Sequence, residues 1–402
     1  MIAGLEPTAL LPYSQKAKSG YQWSVPRSGG TGVKLKIDQK HLLKHVQGIS
    51  AVVPTKTSLP ILSTFLLESK GDGKVTLTAN DLDVSLSTTI ECETEGGGSV
   101  AIPGKKFFEI VRSLPGDTVE INTEGEKIGI TCRKSRFRMV GKSAEEFPKL
   151  PAQKPIATFR IKTETMEEMV TKTSYAVSND LTRPALCGVL WEIKAGNLNM
   201  IATDGHRLAK VELDHAAPEV SANEFIVSPK ALNILRSLAA DKDELGVSLA
   251  DNHITFDLGD SVVYSRLLEG PFPDYNQVIP KKNEKRLVIN RDELTDACRR
   301  VAILSSVVTH QVKLVLGKDK LTISVNTPDV GEAVEEVPCS FAESQMEIGY
   351  NARYLLDILK TMDSEDVQFL LDRNDNAGMV VPEGGDGKIR HQCLLMPLRL
   401  TD

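Results

Sequence analysis

The sequence predicts an α+β fold made of three copies of one unit, each with two amphipathic helices packed on antiparallel strands. Three observations lead there. The segments VAIPGKKFFEIVRSL, EFIVSPKALNILRSL and MEIGYNARYLLDILKTM carry one apolar stripe at i, i+3, i+4, i+7: Phe107, Ile110, Val111, Leu114, then Ala231, Ile234, Leu235, Leu238, then Leu355, Ile358, Leu359, Met362, each set 124 residues after the last. The stretch LNMIATDGHRLAKV (Leu198–Val211) reads as strand, tight polar turn, strand, with Gly205 free to take the positive φ of a hairpin turn. Related strand–turn stretches lie 123 residues to either side, around Asn80 and Asp81 and around Asn326 and Thr327.

Each copy opens alike, with a strand followed by a helix: LKIDQKHLLKHVQGIS, FRIKTETMEEMVTKTS and LVINRDELTDACRRVA. Asp38, Thr163 and Asn290 are the expected N-caps, and Asn290 with Glu293 has the capping-box spacing. Leu42, Val46 and Ile49 form one helical stripe in the first of these helices. Short β-rich runs with Gly, Asn and Asp punctuation (GKVTLTAND, EKIGITC, NHITFDL, DKLTISVN) fill the rest, giving roughly eight strands per copy. The first two copies close on Phe147–Pro148 and Phe272–Pro273; the third ends in LLMPLRL. The expected division is 1–32, a Gly-rich flexible extension or a short ordered cap; 33–153; 154–284; and 285–402.

The composition is that of a globular chain: 402 residues, 41% hydrophobic and 25% charged. A net charge of −6 means that any nucleic-acid-binding surface must be local. Six dispersed cysteines without a C-x-x-C pair argue against zinc and against a secreted disulfide framework, and fit a reducing cytoplasm. No apolar run is long enough for a membrane span. No metal or cofactor is called for.

Two charge patterns stand out. Arg112, Arg236 and Lys360 recur at 124-residue spacing; Lys105 matches Arg353 and Lys106 matches Lys230. Further cations lie on the first helices at Lys40, Lys44, Lys162, Lys172, Arg291, Arg299 and Arg300. Basic residues recurring at one helix position of an acidic protein suggest helices turned toward a shared polyanion, held through its phosphates without base reading. Solvated helix faces are the bland alternative, with Glu109 and Asp357 in the same helices. The second pattern sits at the chain's two ends. Lys134, Arg136 and Arg138 alternate along one strand of the first copy, with Phe137 and Met139 on its other face; the third copy offers Glu332, Glu335 and Glu336 beside Ile303 and Leu304. Three similar units in a row make an arc with unlike ends, and complementary ends close head to tail into a ring.

ATDGHRLA, LPIL (Leu59–Leu62), IPGKKFFEI, SRF, EGPFPDY, MEIGYNARYLLDIL and MPLRL, in collinear order from about Val33 to Leu400, closely resemble the bacterial sliding clamp family, the β subunit of DNA polymerase III. Residues 1–32 and the terminal Thr401 and Asp402 lie outside the resemblance. It implies three clamp domains per chain and a head-to-tail homodimer ring with helices lining a hole and sheets outside. It implies a non-enzymatic processivity factor that encircles double-stranded DNA without sequence preference. The replicative polymerase, the clamp loader and repair proteins would be tethered through short linear peptides. The peptide pocket carries over to Leu186, Thr203, Gly205, His206, Arg207, Leu208, Pro273, Val278, Asn351, Tyr354, Met396, Pro397, Leu398 and Arg399: an apolar floor with His206, Arg207 and Arg399 as a polar rim. Where many clamps have a basic residue before Val278, this chain has Gln277. The resemblance also turns Lys56 toward DNA, with Lys105 and Arg112 at other basic positions, and places Pro184 and Ala185 where the family has aromatic residues.

Two rival readings are weaker. Asp204 and His206 could start an acid–base site, but no nucleophile or second carboxylate is placed to join them. Gly98–Gly104 followed by Lys105–Lys106 lacks P-loop spacing. The stronger alternative is a triplicated protein-interaction scaffold that does not bind DNA.

Overall fold

The computed structural model describes residues 32–150, 154–217, 220–328, 330–384 and 389–400; the expected extension up to residue 31, the join at 151–153 and the last two residues lie outside these. The described residues hold six α-helices: α1 (Gln39–Ser50), α2 (Gly104–Ser113), α3 (Thr163–Thr173), α4 (Pro229–Ala239), α5 (Arg291–Val301) and α6 (Ala352–Leu359). They pack in pairs, α1 with α2, α3 with α4 and α5 with α6, and α1 also meets α4. Asp38 caps α1 and Asn290 caps α5 through their side-chain oxygens. Thr163 does not cap α3. The cap is Lys162, and the Thr163 hydroxyl donates instead to the Lys242 carbonyl, tying α3 to the segment that follows α4. The repeated stripe is the buried face: Phe107 and Val111, Ala231, Ile234 and Leu235, and Leu355, Ile358, Leu359 and Met362 belong to one contiguous core, with Ile110 and Leu238 half-buried at its margin. Trp191, fully buried, sits between the Phe225 and Phe256 rings at 5.7 and 5.8 Å.

Twenty-five strands fall nine, eight and eight to the three copies among the described residues. They form three sheets, and two of these cross from one copy to the next. Ser261–Arg266 of the second copy pairs with Val84–Glu91 of the first, making an eight-stranded sheet. Ile389–Leu395 of the third pairs with Arg207–Leu213 of the second, making a twelve-stranded sheet. Neighbouring units thus hide each other's strand edges. The third sheet, five-stranded, ends on Ser135–Val140, with no further strand paired to it among the described residues. At the other end, among the described residues, Gly331–Phe341 pairs with Leu287–Ile289 only through Cys339–Phe341, so its first half has one partner there, Lys320–Thr327.

Candidate functional site

The turn between strands Asn197–Thr203 and Arg207–Leu213 is built by its own side chains. The Asp204 carboxylate accepts the His206 and Arg207 N–H groups at 2.9 and 3.0 Å, and the Thr203 hydroxyl accepts the Gly205 N–H at 3.1 Å. Gly205 has φ +92°, a conformation costly for side-chain-bearing residues. The first copy repeats this chemistry: Asp81 accepts the Asp83 and Val84 N–H groups, and Leu82 takes φ +80° without a glycine's freedom. Asp204, the rival candidate for acid–base work, is therefore a turn builder.

Around this turn the structure gathers much of the expected pocket. The His206 carbonyl accepts the Met396 N–H at 2.9 Å, and its ring stacks on Tyr354 with centroids 6.2 Å apart. Leu398 donates its N–H to the Gly349 carbonyl at 2.8 Å, two residues before Asn351, whose side chain caps α6. Leu208 and Leu394 face each other across the seam, in a buried cluster with Tyr275 against which Ala185, Phe272 and Ile279 pack. These are the chain neighbours of Leu186, Pro273 and Val278, so the three segments converge there. Leu186 itself is buried in a 3-10 turn (Pro184–Cys187), and a β-carbon at Gly205 would lie 3.4 Å from Arg183 Nη1. Val278 and Met396 leave apolar surface in solvent, 53% and 40% exposed. Pro273 and Arg399 are exposed and Pro397 is half-buried.

Arg207 departs from expectation. It is not a rim charge: its side chain is only 9% exposed and its guanidinium is fully committed. It donates to Asp204 at 3.1 Å, to Asp357 at 2.5 Å and to the Tyr175 carbonyl at 2.8 Å, and lies over the Tyr354 and Tyr175 rings at 4.4 and 5.2 Å. Strand alternation turns it into the seam while His206, in the turn, stays outside. Tyr175 and Asp357 hold it there. Along the chain Asp357 reads as a solvated helix charge, and Tyr175 carries no sequence signal.

The same seam buries further polar groups. Lys172, 6% exposed, is held by Glu168 at 2.5 Å and by Asp363, so it is no surface cation. Beside it, burial and the Lys172 charge push the His391 pKa down to about 4; its Nε2 lies 3.2 Å from Cys393 Sγ, which lies 3.2 Å from the Tyr175 hydroxyl.

Of the helix-borne cations, Lys105, Arg112, Arg236, Arg353 and Lys360 are exposed, as is Lys56 in its loop. Arg112 lies over its own helix's Phe108 ring at 5.3 Å. Lys230 is the exception: its ammonium pairs with Asp81 and donates to the Val52 carbonyl at 3.0 Å, fastening the second copy to the first. Lys44, Arg291, Arg299 and Arg300 are likewise ion-paired within the chain. A cleft of about 620 Å³ between α1 and α4 is bordered by the pairs Lys44–Asp241 and Lys242–Asp260, away from the turn.

At the chain's ends, Arg136 and Arg138 are exposed on the edge strand and Phe137 and Met139 half-buried on its other face; Lys134 lies in the preceding turn, not the strand. On the opposite end Ile303 is 77% and Val334 62% exposed, with Leu304 half-buried. Glu332 is exposed, whereas both Glu335 oxygens are taken by Arg300 at 2.6 and 2.5 Å, and Glu336 pairs with Lys320. Glu335 is thus already neutralised by its own chain. Among the described residues no helix is long and apolar enough to cross a membrane.

Comparison with known proteins matches the chain to three family models in order: the DNA polymerase III beta subunit N-terminal domain over residues 33–151, its central domain over 160–274 and its C-terminal domain over 276–398. The beta sliding clamp of Pseudomonas aeruginosa is 33% identical over 367 residues, covering 90% of this chain and 99% of that one. That of Escherichia coli K12 is 31% identical over 370 residues, covering 92% and 100%. A crystal structure of the P. aeruginosa clamp bound to griselimycin superposes with a TM-score of 0.87 at 33% identity, covering 92% of this chain and all of that one. The chain therefore belongs to the bacterial beta sliding clamps, the DNA polymerase III beta subunits, and is a DNA polymerase processivity clamp.

Proposed function

We propose that two copies of this chain close head to tail around duplex DNA in the bacterial cytoplasm. The exposed cations of the helices would face the phosphates, and partner peptides would be received at the turn around His206. The clamp is on this reading a tether, not a catalyst: a topological link keeps a weakly held polymerase at high effective concentration on its template. The three units are taken as residues 33–153, 154–284 and 285–402, with the clamp loader and repair proteins sharing the pocket with the replicative polymerase.

The observation that carries the ring is the register shared by the two internal seams. Val263 stands opposite Leu86, and Cys393 opposite Ala209. Val263, Cys393 and Phe137 occupy the same place in their own hairpins, paired with Phe256, Val380 and Ile130. Leu86, Ala209 and Ala333 likewise face Ala79, Ala202 and Val325. Ser135–Val140 and the first half of Gly331–Phe341 are thus the two halves of a third seam. In that register Phe137 meets Ala333, both half-buried; Arg138 meets Glu332, both exposed; and Arg136 meets Val334. At the second seam Tyr175 touches Cys393. Ile303 holds the place of Tyr175, 128 residues on, as Asn290 does of Lys162, so Ile303 packs on Phe137 of the other copy. Burying it contributes about 1.5–3 kcal/mol.

The test is retention on DNA. Protein loaded on closed circular plasmid should stay bound and be released when the plasmid is cut; equal release from circular and linear DNA would favour the interaction scaffold. For the pocket, griselimycin is a ready probe. Met396→Ala with Leu398→Ala should weaken it about a hundred-fold or more while the dimer persists. Unchanged affinity would refute the pocket.

A further inference from the structure

We propose that the cleft between α1 and α4, at the seam of the first and second copies, is a binding site for a small aromatic anion, a ring system carrying one carboxylate, sulfonate or phosphate group. The cleft measures about 620 Å³, within the range of ordinary ligand clefts. Three small residues account for it. The repeat sets Gly48 in the place of Lys172 and Ala51 in that of Tyr175, each 124 residues earlier, and Ser261 in that of His391, 130 residues earlier, as Val263 stands to Cys393. All three line the cleft. At the second seam the same positions supply an alkylammonium, a phenol ring and an imidazole, and Lys172 and His391 are each only 6% exposed. The two seams share one strand register, so the first keeps the frame without the side chains that occupy it at the second.

The charge of the wall decides what enters. At the second seam Glu168 holds Lys172. The matching position of α1 is Lys44, and Lys40 stands where α3 has Glu164. The sign of the helix face is reversed, so the group it attracts is an anion. Lys40, Lys44 and Lys242 line the cleft against Asp241 and Asp260, one cation in excess. Lys44 pairs with Asp241 and Lys242 with Asp260, whereas Lys40 is exposed and makes no ion pair among the described residues. The Lys44–Asp241 pair has side chains 67% and 70% exposed, so it is weak and leaves Lys44 able to turn to a ligand. Leu43 and Leu238 give the body of the ligand an apolar wall, and two of the three side chains absent from this seam are rings. Hydroxyls complete the floor: Thr88 Oγ1 lies 2.9 Å from His45 Nδ1 and 2.9 Å from Ser261 Oγ, across the seam.

The experiment titrates the full chain with anilinonaphthalene sulfonate, an aromatic anion that fluoresces when it leaves water. One saturable site per chain is expected. Ala51 is exposed, so Ala51→Tyr restores the ring that the second seam carries without touching the core, and should weaken binding by about ten-fold or more. Lys40→Ala with Lys44→Ala should weaken it roughly two- to thirty-fold at low salt, the scale of two partly exposed ion pairs, and less at high salt. Naphthalene sulfonate should displace the probe, and naphthylmethylammonium, of similar shape and opposite charge, should not. Near-ultraviolet circular dichroism of the buried Trp191 reports that each variant is folded. The lack of a saturable site, or a site that Ala51→Tyr leaves intact, overturns the cleft as the place of binding. Unchanged affinity in the lysine variant, or equal displacement by the cation, overturns the selection of an anion.

Discussion

Reversing one charge at the third seam tests the ring more sharply than any deletion. In the proposed head-to-tail ring Arg138 stands opposite Glu332 of the other copy; both are exposed, and neither makes an ion pair within its own chain among the described residues. An opposite-charge cross-strand pair contributes roughly 0.2–1 kcal/mol, and like charges cost a similar amount. Arg138→Glu therefore swings each seam by about 0.4–2 kcal/mol. A head-to-tail dimer has two such seams, so the ring loses about 1–4 kcal/mol, a roughly five-fold to nearly thousand-fold rise in dimer Kd. Arg138→Glu combined with Glu332→Arg restores the pairing with reversed polarity and should recover most of the loss. Sedimentation equilibrium at low and high salt reads both, and the single variant's defect should shrink as salt rises. If the single reversal leaves Kd unchanged, or the double variant is as weak as the two single effects summed, Arg138 and Glu332 do not face each other and the register is wrong.

Two further outcomes follow from the charges. His391 is held neutral by burial, with its pKa near 4 against about 6.5 for an unfolded histidine, so the unfolded chain binds the extra proton first. Its contribution is complete above pH 6.5 and is lost as pH falls toward 4, by up to about 3 kcal/mol; stability from urea unfolding should therefore fall between pH 8 and 5, and His391→Asn should flatten that dependence of stability on pH, an equal dependence counting against the assignment. On duplex DNA, Arg112→Ala with Arg236→Ala should lower the salt dependence of binding by roughly one for each phosphate no longer neutralised, at any DNA sequence. Lys230→Ala should leave that dependence unchanged, since its ammonium already serves Asp81 and Val52; an equal change in both variants would place Lys230 on the DNA as well.

The griselimycin and plasmid measurements bear on the pocket and the hole separately, because a chain can keep one and lose the other. The proposed pocket needs only the seam between the second and third copies, where His206, Tyr354 and Met396 meet. The proposed ring needs Ser135–Val140 of one copy to find the first half of Gly331–Phe341 of another.

The triplication, the buried face of each helix and the hairpin turn at Gly205 were all legible in the bare chain. Each is a local matter: a stripe at i, i+3, i+4, i+7 has one inward face whatever surrounds it, and a turn of positive φ favours glycine wherever it falls. Asp38 and Asn290 were legible as caps for the same reason, whereas Thr163 was not, because its hydroxyl answers a carbonyl 79 residues away. What each cation does was settled by the folded arrangement alone. Lys230 and Lys105 look alike along the chain, yet Lys230 meets Asp81 across 149 residues and Arg207 meets Asp357 across 150, while Lys105 makes no ion pair among the described residues. Charge pairing depends on separation in space, falling off over a few ångströms of protein and water, and no periodicity of the chain records it.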